Sequence, residues 1–72
     1  MTQAQQLIQR IEINPKKLGG KPLIRGTRIS VEQILNMLAV GVPTDEVLKD
    51  FPQLTRDDIH AAMQYASKLM ED

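Results

Sequence analysis

Apolar residues in the second half of the chain recur with a helical period. Val31, Ile34, Leu35, Leu38, Ala39 and Val42 follow one another at helical spacing, which sets their side chains on one stripe of an α-helix. Ser30 followed by Gln33 reads as a capping box at its start, with Ile29 and Ile34 as the accompanying hydrophobic staple. Gly41 and Pro43 are its stop signals. A second helix is expected from Thr44, its cap, with Asp45 and Glu46 in the first turn, where the helix dipole favours acids. Val47, Leu48 and Phe51 form its apolar side, and Pro52 ends it. Thr55 with Asp58 reads as a further capping box, with Leu54 and Ile59 as the staple. The third helix is expected to bury Ile59, Ala62, Met63, Ala66 and Met70 and to expose Arg56, Asp57, His60, Ala61, Gln64 and Lys68.

The first thirty residues are patterned differently. Ala4, Leu7, Ile8 and Ile11 suit a short helix from Thr2 to Arg10, which needs a surface to dock on because so short a helix is unstable alone. Ile11-Glu12-Ile13 alternates like a strand, and Asn14-Pro15 breaks it. Leu23-Ile24-Arg25 and Thr27-Arg28-Ile29 flank Gly26 as two very short strands or an extended loop. The expected layout is a segment 1–10 with a short helix and a single domain over 11–72. That domain has an extended arm at 11–30 and helices at about 31–41, 44–51 and 55–70. Such short helices with tight connections predict a mainly α fold: a three-helix, helix-turn-helix bundle carrying an N-terminal β-hairpin or extended basic arm.

Length and composition narrow the function. A chain of 72 residues is one domain. It buries about 60% of its unfolded surface, so an oligomer or partner would add welcome stability. The absence of cysteine excludes a disulfide scaffold, a thiolate nucleophile and cysteine-ligated zinc. No apolar run approaches the ~20 residues of a membrane span, and no signal peptide is visible, so a soluble, cytoplasmic protein is expected. The formal net charge of zero hides an asymmetry. From Arg10 to Arg28 there are six basic residues and one acid, whereas from Ile29 to Asp72 there are three basic residues and eight acids. Such polarity suggests an anionic partner at one end, or self-association of opposite ends.

The segment from Ile13 to Ile29 carries a recognisable signature. Asn14-Pro15 is followed by Gly20-Lys21-Pro22 and Ile24-Arg25-Gly26-Thr27-Arg28-Ile29. Phe51-Pro52-Gln53-Leu54-Thr55 and Ala61-Ala62-Met63-Gln64-Tyr65-Ala66 come later. Together these resemble the domain-of-unknown-function family 433. The resemblance implies a homeodomain-like or helix-turn-helix fold. It also implies an antitoxin-like role in a type II toxin–antitoxin pair, with a PIN-like nuclease toxin as partner. Because the third helix is expected to run almost to Asp72, toxin binding would use the N-terminal segment or a folded surface.

The candidate chemistry is binding rather than catalysis. Lys16, Lys17, Lys21, Arg25 and Arg28 lie on the glycine-rich segment and can neutralise phosphates. Arg28 has a rival, structural reading: a clamp on helix carbonyls or on Asp50 or Asp58. On the third helix Arg56, His60 and Gln64 are candidate base contacts, although Asp57 and Asp58 would repel phosphate. Met37, Val40, Tyr65 and Leu69 lie off or at the edge of the core stripes and are candidates for a dimer or partner surface. His60 is the sole histidine and has no catalytic or metal-binding companion at a usable spacing. Neither Asp45-Glu46 nor Asp57-Asp58 converges like an acid–base couple, since helix neighbours diverge by about 100°. No enzyme activity, metal or cofactor is expected. The leading expectation is a homodimeric antitoxin-like protein that binds a nuclease-type toxin and its own promoter DNA. The alternative is a protein-interaction module without nucleic-acid binding.

Overall fold

A computed structural model describes residues 3–70. The protein is mainly helical, with a small antiparallel sheet. Its elements are α1 (Gln3–Ile8), β1 (Ile11–Glu12), a single 3-10 turn (Leu18–Gly20), β2 (Leu23–Ile24), α2 (Val31–Ala39), α3 (Thr44–Asp50) and α4 (Arg56–Leu69). The expected start of the first helix at Thr2 lies outside the described residues. No described helix is long and apolar enough to cross a membrane.

Local signals account for the helix ends. Ser30 Oγ accepts from the Gln33 amide at 2.9 Å and starts α2. The end of α2 is a Schellman motif: the Gly41 amide donates to the Leu38 carbonyl at 3.1 Å and the Val42 amide to the Met37 carbonyl at 3.0 Å. Gly41 adopts φ +92° there, a left-handed conformation that glycine reaches without a Cβ penalty. The cap of α3 lies one residue before the expected one. Pro43 is its N-cap, and its carbonyl accepts from the amides of Glu46 and Val47, so Thr44 is already helical and caps nothing. At α4 the Thr55–Asp58 capping box is reciprocal: Thr55 Oγ1 accepts from the Asp58 amide, and the Thr55 amide donates to Asp58 Oδ2 at 2.9 Å.

The core joins both halves of the chain. Ile34, Val47, Ile59 and Ala62 from the helices meet Ile24 and Ile29 from the N-terminal segment. Both expected staples, Ile29 with Ile34 and Leu54 with Ile59, lie in this cluster. The segment 11–30 is therefore no free arm. β1 pairs antiparallel with β2, Ile11 opposite Ile24. Leu23 bridges to Ser30, closing a tight hairpin over Arg25–Arg28.

The faces of α4 differ from expectation in two respects. Ala61 is fully buried on a helix against which α1 packs. Met63 and Met70 are exposed, Met70 at 84% just past the last residue of α4. On α2, Met37 is half-buried against the core. In a Schellman motif the residue after the glycine folds back on the helix, and this draws Val42 and Met37 inward together.

Candidate functional site

The basic segment is built around the turn Ile24-Arg25-Gly26-Thr27. The Thr27 amide donates to the Ile24 carbonyl at 3.0 Å, and Gly26 supplies φ +83° at the third position. Thr27 Oγ1 locks the turn twice, donating to the Ile24 carbonyl at 2.8 Å and accepting from the Ile29 amide at 3.0 Å. This explains the Gly-Thr-Arg sequence. The glycine makes the bend, the threonine fixes it, and Arg25 and Arg28 stand exposed on either side of it.

The cations of this segment divide by partner. Arg25 Nε donates to the Gln9 carbonyl at 2.9 Å and its Nη2 to the Ile11 carbonyl at 3.1 Å. Arg25 thus ties the end of α1 to the hairpin, which is the clamp considered for Arg28. Asp58 is likewise taken by a different residue. Arg10 reaches Asp58 Oδ1 at 3.1 Å and Asp57 Oδ2 at 3.6 Å. Arg28 makes no side-chain bond or ion pair among the described residues, so the structural reading of that residue fails. Lys17 pairs with Glu12 at 3.4 Å and Lys21 with Glu32 at 3.1 Å. Lys16 is exposed and in no ion pair among the described residues; its amide closes an Asx turn on Asn14 Oδ1 at 2.9 Å.

Glu12 reflects this setting. Partial burial alone would raise its carboxyl pKa, but the Lys17 ammonium, the Asn14 side chain and the Arg25 charge outweigh burial and hold it below the ordinary value.

On α4, Arg56 is ion-paired with Asp45 at the start of α3, His60 is exposed and Gln64 half-buried. Among the described residues no cluster of three potential metal ligands exists.

A second surface lies between α2 and α4. Leu35, Tyr65, Ala66 and Leu69, with Pro22 at the hairpin corner, line a mostly apolar groove of about 240 Å³. Of the expected partner-surface residues, Tyr65 and Leu69 belong to this groove. Met37 faces the core, and Val40 stands 80% exposed at the end of α2.

Residues 11–66 match the model of the family described as Protein of unknown function (DUF433). The chain belongs to the DUF433 family. The match takes in the hairpin and most of α4, leaving α1 and Leu69 outside it. The chain resembles a DUF433 member protein from Anabaena variabilis ATCC 29413, solved by crystallography at 2.00 Å resolution. The TM-score is 0.81 at 38% identity, over 89% of this chain and 63% of that one. It is also 36% identical over 53 residues to the uncharacterized protein y4eO of Sinorhizobium fredii (strain NBRC 101917 / NGR234). There the match takes in 74% of this chain but 24% of the relative, so this chain spans about a quarter of that protein's length.

Proposed function

We propose that the protein is a small antitoxin-like binding protein of a type II toxin–antitoxin pair, rather than an enzyme. In this reading it dimerises, engages a nuclease-type toxin and binds its own promoter DNA. α3, the turn at 51–55 and α4 serve as the helix-turn-helix unit, with Arg56, His60 and Gln64 directed at base edges. Lys16, Arg25 and Arg28 contact phosphates, with Lys17 and Lys21 as secondary contacts. The observation that carries the reading is the coexistence of two exposed surfaces of different chemistry on one small domain. One presents Lys16, Arg25 and Arg28, which form no ion pair among the described residues; the other is the apolar groove of α2 and α4. A repressor that also holds a protein partner needs both.

Salt-titrated binding to the duplex upstream of the start codon, beside a scrambled duplex, tests this. The expected result is tighter binding to the native duplex, with a salt slope that falls by about 2 when Lys16→Ala and Arg28→Ala are combined. An unchanged slope removes these residues from the interface. A second reading, a protein-interaction module without DNA binding, is favoured by one observation: Lys17, Lys21 and Arg56 are already paired with Glu12, Glu32 and Asp45. It predicts no salt-dependent binding to either duplex.

A further inference from the structure

We infer that Arg28 is a sequence-reading residue whose guanidinium enters the narrow minor groove of an A·T-rich duplex, while Arg25 stays outside on the phosphates. The inference rests on the DNA-binding part of the reading above and is independent of dimer or toxin. Its basis is the contrast between the two arginines of one turn. Arg25 is held by the carbonyls of Gln9 and Ile11 and cannot extend without giving up both bonds. Arg28 is exposed and makes no side-chain bond or ion pair among the described residues, so its full length is available. The base it stands on is rigid. Thr27 Oγ1 locks the turn twice, and the Ile24 amide donates to the Ile29 carbonyl at 2.9 Å. Binding therefore has to order one side chain rather than a loop.

The chemistry of the turn points to a duplex. From Leu23 to Ile29 there are two arginines and no acid, and Glu12, the one acid between Arg10 and Arg28, is taken by Lys17 at 3.4 Å. Two like charges held close on a turn gain from a strip of negative charge. The apolar residues of the same stretch, Leu23, Ile24 and Ile29, are all buried, so the turn offers no apolar anchor of the kind that holds a protein partner. An added Cβ on Gly26 meets no atom within 4 Å, so the tip stands clear of the domain. Ile24 and Ile29 are anchored in the core on either side, which keeps the turn shallow and leaves the side chain to reach inward. The minor groove, about 6 Å wide and narrower in A-tracts, admits such a side chain and concentrates negative potential around it. A guanidinium is more weakly hydrated than an ammonium and so enters at lower desolvation cost.

Fluorescence anisotropy with an A-tract duplex and a G·C-rich duplex of equal length, over a salt series and with netropsin as a minor-groove competitor, tests the inference. The expected result is a preference of about tenfold for the A-tract, lost when netropsin is added. Arg28→Lys keeps the charge, so it should leave the salt slope unchanged and abolish the preference. Lys16→Ala should weaken both duplexes alike, lower the slope by about 1 and keep the preference. Unaltered circular dichroism of both variants checks the fold. Salt-sensitive binding without an A-tract preference, or with one that survives netropsin or Arg28→Lys, overturns the inference and leaves the DNA-binding reading standing. No salt-sensitive binding to either duplex overturns both.

Discussion

The segment from Arg10 to Ser30 and the segment from Val31 to Leu69 are held by different kinds of contact. In the second, the helix ends are set by groups next to them in sequence: Ser30, the residue just before it, caps α2, the Gly41 backbone terminates α2, and Thr55 caps α4. In the first, beside local contacts such as those of Thr27 and Asn14, basic side chains act on distant parts of the chain. Arg25 reaches back to Gln9 and Ile11, Arg10 forward to Asp57 and Asp58, and Lys21 forward to Glu32. Local contacts are formed as each helix forms. Distant contacts exist only once α1, the hairpin and α4 have come together. A basic residue in the first segment thus has its role set by what folds up beside it, and neighbours in sequence have opposite roles. Lys17 is paired while Lys16 is not, and Arg25 is a clamp while Arg28 is solvated.

The sharpest test of this division is whether the two segments share one core. Ile59→Ala, at a fully buried position of α4, should cost about 3 kcal/mol in urea denaturation. Ile24→Ala in the hairpin should cost nearly as much, and both variants should unfold in a single transition, because Ile24 lies in the same cluster. A loss under about 1 kcal/mol for Ile24→Ala would make the hairpin an appendage to the helices.

The next largest effect concerns the contact that crosses between the segments. Asp58→Ala removes the return half of the α4 capping box and leaves Arg10 without its buried partner, at a cost of about 2 kcal/mol. Arg10→Ala should cost about 1 kcal/mol or less, because its side chain is 42% exposed and solvent screens the pair. Equal losses would mean that the ion pair, not the cap, supplies the stability. Chemical denaturation of both variants and the double variant separates the two contributions.

Gly26→Ala tests a purely local feature of the first segment. No atom lies within 4 Å of an added Cβ, so any loss comes from backbone strain at φ +83°, about 1 kcal/mol. A neutral result would show that the turn relaxes without disturbing Thr27.

The smallest effect is on pH dependence. Glu12 has a lowered carboxyl pKa, so its contribution to stability is present above the ordinary value of 4.5 and is lost as the pH falls through the lower folded value. Carboxyl titration followed by nuclear magnetic resonance should give a Glu12 midpoint below that ordinary value. Lys17→Ala should move the midpoint back up.

The same division governs what could be read in advance. Helices α2, α3 and α4 were legible within one or two residues because period, caps and stops are short-range signals. The misassigned cap of α3 shows their limit. Thr44 has the right chemistry, but Pro43 already adopts the extended backbone that lets its carbonyl receive the first helical amides. The inner and outer faces of α4 were less legible. Ala61 lies on the side that a period-based reading leaves to solvent, yet it is fully buried in a helix on which α1, β1, α2 and α3 all pack. Met70 sits on the apolar stripe, yet it lies past the end of the helix, where no described element covers it.

The candidate surfaces divide in the same way. Sequence identified the basic segment and the apolar positions Tyr65 and Leu69, because charge and hydrophobicity are properties of single residues. It could not join Pro22, Leu35 and Leu69 into one groove, since these residues lie far apart in the chain. Nor could it tell Arg25 from Arg28, which differ only in whether backbone carbonyls of another segment lie within reach. By itself, the order of residues determined the helices, their ends and the family, all of which depend on neighbours a few positions apart. Tertiary structure alone decided which cations remain available and which apolar residues form a surface. Both depend on distances between segments that the linear order does not contain.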